Sequence, residues 1–335
     1  MNIISPLRTW FNPPIQTLPP RLAAPVRELQ VQSKSSTVHT LNASEEILRA
    51  HVDNLVKYLR NPEHIGELND SADYIKSVWE NLGLKVKDEP FVLDNNDFGI
   101  SKLGVQEFRN LSVSFGPQGG KRFVIGAHYD VFGNQPGADD NASGVAGLLE
   151  LTRLMIDNNI KPDFPIDCIA YTLEENPYSL LGSRVHARSL KKAGIKVKGM
   201  IALEMIGYYS SEPDSQKLPP RFAPVMKLVY PTTGDFIAVC GFGNSLRLVH
   251  KASVNLDQDG NIPSHMLWVP LPLFGMHRSD HTSYSMRGYP ACMVTDTSFM
   301  RNDNYHKPTD TPDTLDFAKM AQVVDGVFGL IKGLK

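Results

Sequence analysis

Four short stretches of this chain hold side chains able to bind metal and move protons. The first is Gly126-Ala-His128-Tyr-Asp130, which ends the apolar run Phe123-Val-Ile, with Gly137-Ala-Asp139-Asp140-Asn-Ala-Ser-Gly144 a few residues on. Imidazole nitrogen and carboxylate oxygen are ligands that zinc accepts together, and a carboxylate with two oxygens can bridge two ions. Asp130, two residues past His128, is placed to accept the other ring N–H and fix its tautomer. The second stretch is Leu173-Glu174-Glu175-Asn176, at the end of another apolar run. Adjacent carboxylates repel unless they are exposed or bound to cations, so one can hold metal while its neighbour serves as general base. The third, Ala202-Leu203-Glu204-Met205-Ile206-Gly207, embeds a carboxylate among apolar residues, where it is costly without a cation. The fourth is Asn304-Tyr305-His306, in which the tyrosine could donate a hydrogen bond to a developing oxyanion.

Each stretch alone has a plainer reading as a solvated loop or a satisfied structural pair. Together they supply two histidines and three or four carboxylates, an inventory that suits two metal ions better than one.

For these side chains to meet, the elements carrying them must run side by side. Apolar runs at 123–127, 165–173 and 200–203 read as strands, alternating with helical patterns at 143–157 and 180–193. That alternation predicts an α/β fold, a mainly parallel, mixed central sheet with helices on both faces and its chemistry at the carboxyl ends of the strands. Upstream, a helix capped near Asn42 carries Ile47, Val52, Leu55, Val56 and Leu59, a second spans about 71–82, and strands lie near 85–93 and 108–115. A last helix at about 315–333 presents Leu315, Met320, Val323, Val324, Val327, Leu330 and Ile331 to the core. Residues 1–40 carry Pro6, Pro13, Pro14, Pro19, Pro20 and Pro25 and read as an arm on a single domain covering 41–335. The Pro- and Gly-rich stretch at about 208–285 reads as pocket-forming loops around one or two strand and helix units.

In order along the chain, His128-x-Asp130, Asp140-Asn-x-Ser-Gly144, Glu174-Glu175 with Leu181-Gly-Ser183 behind it, Glu204-x-x-Gly207, Ser279-Asp-His281 and His306 ahead of Asp310-Thr-Pro-Asp-Thr resemble one family. It is that of the co-catalytic zinc exopeptidases, which includes bacterial leucyl aminopeptidases, glutamate carboxypeptidase II and the glutaminyl cyclases. The resemblance covers about 110–335 and implies the zinc exopeptidase, phosphorylase/hydrolase-like fold. It also implies two Zn2+ ions, one held by His128, Asp140 and Glu204 and the other by Asp140, Glu175 and His306. Glu174 is then the general base, Asp130 supports His128, Tyr305 stabilises the tetrahedral intermediate, and the Asp140–Asn141 peptide bond is cis. Many relatives carry Asp where this chain has Glu204, and Asn176-Pro-Tyr-Ser-Leu departs from the commoner loop, which should be reshaped here.

The expected activity is a metallo-aminopeptidase acting on peptides with a free N-terminus, with Asp303 a candidate anchor for the amino group. A glutaminyl cyclase using one Zn2+ is the main alternative; of Trp10, Trp79 and Trp268, only Trp268 falls in the pocket region. A dipeptidase or carboxypeptidase would need a cation for the substrate carboxylate, for which Arg301 and Arg278 are candidates. A non-catalytic binding module would be expected to have lost ligands that remain here. His277, Asp280, His281 and Asp296 are left outside the ligand set as structural residues.

Bulk composition narrows the partners. With 34 basic against 36 acidic residues and a net charge of −2, no broad field favours nucleic acid or an anionic membrane. No run approaches the ~20 apolar residues of a membrane span, and the start Met1-Asn-Ile-Ile-Ser-Pro has no signal-peptide pattern, which leaves localisation open between cytoplasm and export, and oligomeric state open too. Cys168, Cys240 and Cys292 are widely spaced and read as buried thiols.

Overall fold

The computed structural model describes residues 16–17, 42–93, 106–175, 177–219, 223–271 and 277–334. Apart from Gln16 and Thr17, the Pro-rich arm expected at 1–40 lies outside them, as does Asn176. Helices α1 (Glu45–Leu55) and α2 (Ile65–Asn81) come first, followed by α3 (Gly144–Asp157), α4 (Leu181–Lys192), α5 (Ala223–Met226), α6 (Leu246–Gln258), α7 (His281–Ser285) and α8 (Phe317–Lys332). The strands are β1 (Gln16–Thr17), β2 (Lys87–Leu93), β3 (Gln106–Phe115), β4 (Arg122–His128), β5 (Ile166–Tyr171), β6 (Val197–Leu203), β7 (Ile237–Phe242), β8 (Ser264–Val269) and β9 (Ala291–Thr295).

Two of these boundaries differ from the sequence expectation. Helix α1 is capped by Ser44, whose hydroxyl accepts the Ile47 N–H, rather than by Asn42. Leu48, Val52 and Leu55 form its buried stripe, and the helix ends at Leu55, so Leu59 belongs to the loop beyond. Helix α2 begins earlier than expected because Asn61 caps a turn at Pro62–His64 that leads straight into it, its side-chain oxygen accepting the N–H of Glu63 at 3.0 Å and of His64 at 3.2 Å.

One sheet runs in the order β1-β2-β3-β5-β4-β6-β9-β7-β8. Its middle, β5-β4-β6-β9, is parallel, whereas β3 joins β5 and β7 joins β9 in antiparallel fashion. The parallel strands are covered on both faces, which is why their sequences read as continuous apolar runs. Phe123, Ile125 and Ala127 of β4 pack into the larger core with α1, α3, α6 and α8, while Val124 turns to the opposite layer with Ala187 and Leu190 of α4 and Tyr284 of α7.

At the β9-β7-β8 end the sheet is different. Val239 and Val294 face the larger core, but Phe236, Ala238 and Cys240 form a separate small cluster with Leu267, Val269 and Met293 on the opposite face. All three cysteines are buried and unbridged, as expected, and burial pushes each thiol up. Among the described residues no helix is long and apolar enough to cross a membrane.

Candidate metal centre

Parallel neighbours finish together, so the carboxyl ends of β4, β5 and β6 deliver their polar residues to one edge of the sheet. His128 is the last residue of β4, Glu174 and Glu175 follow β5 by a short turn, and Glu204 directly follows β6. Asp140 arrives on the segment ahead of α3, across a cis Asp140–Asn141 peptide bond. Three non-glycine residues at this edge have positive φ: Leu173 before Glu174, Met205 after Glu204, and His306. Such backbone is sparsely populated for these types and persists where the surroundings impose it.

Asn141 supplies much of that constraint. Its amide donates to the Leu203 carbonyl at 2.9 Å and its oxygen accepts the N–H groups of Met205 and Gly144, tying the end of β6 to the start of α3. Gly144 permits the approach, since a Cβ there would lie 2.5 Å from the Leu203 carbonyl oxygen.

Around Asp140 the candidate ligands fall into two groups, His128 with Asp140 and Glu204, and Asp140 with Glu175 and His306. His128 Nε2 lies 3.5 Å from Asp140 Oδ1 and 3.4 Å from Glu204 Oε2; His306 Nε2 lies 3.1 Å from Asp140 Oδ2 and 3.2 Å from Glu175 Oε1. Ligands about 2.0–2.2 Å from a tetrahedral zinc are roughly 3.3–3.6 Å apart, a spacing that the His128 pairs match and the His306 pairs fall just short of. The decisive feature is His128 itself. It is fully buried, its Nδ1 donates to the Asp130 carbonyl at 3.1 Å, and that tautomer leaves the Nε2 lone pair facing carboxylates with no hydrogen-bond partner among the described residues. A cation between Nε2 and the carboxylates satisfies all of them, so the donor set fits zinc.

Asp130 supports His128 through its carbonyl rather than its carboxylate. Its carboxylate is 3.5 Å from His128 Nδ1 and instead accepts the main-chain N–H groups of Glu174 at 3.0 Å and Glu175 at 3.1 Å. Asp310 performs the same service for the neighbouring loop, accepting the N–H of Asp139 at 2.9 Å and of Asp140 at 3.1 Å. Ser279 donates to Glu204 Oε2 at 2.8 Å. The buried Arg60 guanidinium bonds the carbonyls of Tyr129, Gly137 and Leu55, joining the His128 and Asp140 loops. His306 is stacked between Tyr305 at 3.7 Å and Phe132 at 4.2 Å. Arg60 and Phe132 were missed by sequence reasoning, and neither stands in any pattern that marks it.

So many charges in one buried place shift one another strongly. Burial raises Glu174 well above the usual carboxylate range, reinforced by Glu204, Glu175 and Asp280 and only partly countered by His128. Burial and Asp140 push Glu175 up to about 8 against the opposing pull of His306. For His306, burial acts downward, yet Asp140 and Glu175 raise it to about 9. Burial works against Asp140 too, and the neighbouring imidazoles of His128 and His306 hold it below the usual range. Protons thus compete for positions that a metal ion would fill.

A cavity opens beside these groups. Asp140, Glu174, Glu175, Glu204 and Tyr305 form one side of it, and Phe236, Ala238, Cys240, Leu267 and Met293 another. Phe236, Ala238, Cys240 and Leu267 come from the 208–285 stretch and Met293 from β9, while three residue expectations are corrected. Asp303 is exposed and ion-paired with Lys217, outside the cavity lining. Arg301 is buried, with its guanidinium against the Phe236 ring and bonded to Gln216 and the Phe236 carbonyl. Trp268 donates to the Gly243 carbonyl and does not line the cavity. His281 packs edge-on against Phe242 at 5.9 Å, and Asp296 accepts the N–H groups of Tyr208 and Ser298. His277, Asp280, His281 and Asp296 stay outside both ligand groups among the described residues.

The sequence model of Peptidase family M28 matches residues 110–238. Protein YfbL of Escherichia coli (strain K12) is 38% identical over 98% of this chain and 95% of its own length. Leucine aminopeptidase 1 of the fungus Leptosphaeria maculans is 29% identical over 70% of this chain, which spans 59% of that enzyme's length. In fold, a leucine aminopeptidase precursor from Bacteroides thetaiotaomicron superposes with a TM-score of 0.65 at 19% identity, covering 88% of this chain and 98% of that one. The glutaminyl cyclase of Porphyromonas gingivalis gives 0.64 at 18% identity, with 87% and 98% covered. Likeness at that identity is likeness of fold. With the family match lying across the very segment that carries His128, Asp140, Glu174, Glu175 and Glu204, and with a full-length relative at 38% identity, the chain belongs to peptidase family M28 and is a hydrolase of the metallo-exopeptidase class.

Proposed function

We propose that the protein is a zinc aminopeptidase that binds two ions and removes the first residue from peptides with a free N-terminus. The observation that carries this reading is the position of Asp140, whose Oδ1 faces His128 and whose Oδ2 faces His306. His128, Asp140 and Glu204 hold one ion in this reading, and Asp140, Glu175 and His306 the other. When bound, zinc acts as a Lewis acid toward the scissile carbonyl and acidifies water.

The chain's own groups supply the remaining chemistry. Glu174 takes the proton of the attacking water and passes it to the leaving amine, a role suited to a buried carboxylate whose proton affinity is raised. Asp130, by holding the Glu174 and Glu175 main chain, keeps base and ligand side by side. The Tyr305 hydroxyl donates to the developing oxyanion. The apolar wall of Phe236, Ala238, Cys240, Leu267 and Met293 receives the first side chain and favours an apolar one. With Asp303 outside the cavity, the countercharge for the substrate's ammonium group falls to the carboxylates at the metal end. Every residue given a role here lies in the proposed domain over 41–335.

A glutaminyl cyclase, with a single zinc, is the rival on the same fold. It would leave the His128 and Glu204 position without a task, and neither Trp79, bonded to Thr152 in the core, nor Trp268 lines the cavity. Zinc analysis before and after chelation, run beside hydrolysis of aminoacyl p-nitroanilides, separates the two. About two zinc per chain with reversible loss of hydrolysis is expected; one tightly held zinc and no hydrolysis would point to the cyclase.

A further inference from the structure

The cavity lining carries charges of both signs. Asp140, Glu174, Glu175 and Glu204 form its acidic end, and Arg278 and Lys217 lie on its lining as the cations. These two cations are not equivalent. Lys217 is neutralised by Asp303, whereas Arg278 is exposed and pairs with no carboxylate among the described residues. Arg278 is also held in place. Its guanidinium sits 5.5 Å from the Phe299 ring centroid, and the next residue, Ser279, is bonded to Glu204 at 2.8 Å.

A line of rings connects His306 to Arg278. Phe299 lies 5.7 Å from Tyr305, and Tyr305 stacks 3.7 Å from His306. An extended peptide advances about 3.3–3.6 Å per residue, so the three successive contacts of this line put Arg278 within reach of a peptide of at most about four residues whose amino end lies at His306. A planar guanidinium with free donors at a cavity rim matches a carboxylate in a two-pronged arrangement.

We propose that Arg278 binds a carboxylate on the leaving portion of the substrate, making the site selective for short peptides that carry a negative charge one to three residues beyond the scissile bond. This rests on the aminopeptidase reading and deepens it. The amino group meets the acidic end, the carboxylate meets Arg278, and the zwitterion of a dipeptide or tripeptide is the smallest molecule that satisfies both. Two sources of that carboxylate share this chemistry, the C-terminus of a short peptide and an acidic side chain near the new N-terminus.

The test compares leucyl-glycine with leucyl-glycinamide, and leucyl-glutamyl amide with leucyl-glutaminyl amide, on the zinc-loaded full chain. The expected result is a KM about 10–100-fold lower for the charged member of at least one pair, with kcat little changed. The first pair reports a terminal carboxylate and the second a side chain. Arg278→Gln should bring the charged-to-neutral ratio close to one, and Arg278→Lys should restore part of it. Equal KM values within both pairs in the unsubstituted protein, or a ratio that survives Arg278→Gln, would overturn the proposal. Calorimetric binding of the same pairs to the Glu174→Gln protein reads the contact without turnover. Leucine p-nitroanilide serves as the separate control: failure to hydrolyse it defeats the aminopeptidase reading, whereas its hydrolysis with equal KM values in both pairs defeats the Arg278 assignment alone.

Discussion

The metal end of the cavity and its apolar wall face the same space and are built by opposite means. At the metal end the side chains are held by directional bonds: Asp130 takes two main-chain N–H groups, Asp310 takes two more, and Ser279 fixes Glu204. The wall is one face of the β9-β7-β8 sheet edge, where alternate residues Phe236, Ala238 and Cys240 meet Leu267 and Met293 through apolar contact. Removing a partner at the first region leaves buried polar groups unsatisfied, a loss of about 1–3 kcal/mol for each. Trimming the second costs buried area at about 25 cal/mol per Å2. In the proposed function, chemistry and selectivity therefore rest on parts of the chain with different tolerance to change, and the wall should be open to recutting while the reaction is kept.

Substitutions can break that contrast or sharpen it. Asp140→Asn removes the shared carboxylate and should abolish hydrolysis and empty both zinc positions, as read by elemental analysis of protein with an unchanged circular dichroism spectrum. Glu174→Gln should keep its zinc and lose about 10²–10⁴ in kcat; full activity in that variant would remove Glu174 from the mechanism. Asp310→Ala frees two N–H groups behind Asp139 and Asp140, and zinc affinity measured by competition with a chelator should weaken about 10–100-fold. At the wall, Ala238→Phe should raise KM for leucyl p-nitroanilide by about 10–200-fold and leave zinc content intact. Loss of zinc from that variant would show that the two regions are not separable.

Proton binding gives a further contrast. In the metal-free protein Glu175 is raised from 4.5 to about 8, so its protonated form favours the folded state. That stabilisation is complete below about 4.5 and is lost as pH rises through about 8. His306, raised from 6.5 to about 9, loses its contribution in the same direction at higher pH. Chelated protein should therefore melt at a lower temperature at pH 9 than at pH 6, and the zinc-loaded protein should show a smaller drop. A chelated protein that gained stability over this interval would refute the assignment.

The same division decided what could be read from the sequence. Glu174, Glu175 and Glu204 stand out because carboxylates interrupt or end apolar runs, and the parallel strands are apolar on both faces, so a mainly parallel sheet and the edge where its chemistry gathers could be inferred, though not the strand order. The wall gave no comparable signal. β7 and β8 each carry apolar residues on both faces, and nothing in Phe236, Ala238 or Cys240 tells which face a helix covers. Asp303 and Arg301 show the limit for charged residues. Both lie in the loop before His306, but Lys217 draws one to the surface and the ring of Phe236 holds the other inside, contacts made by residues more than 60 positions away. Asp130 was found for its position beside His128, but its bonds to the Glu174 and Glu175 main chain were not foreseen, since the turn that brings them to its carboxylate is made only when β4 and β5 pair.

The most direct test of the two-ion centre is a zinc titration of the chelated protein, with bound metal and leucine p-nitroanilide hydrolysis followed together. The account predicts about two equivalents bound and hydrolysis restored as they bind, with Glu204→Ala reduced to about one. Saturation at a single equivalent in the unsubstituted protein, unaffected by Glu204→Ala, would contradict it.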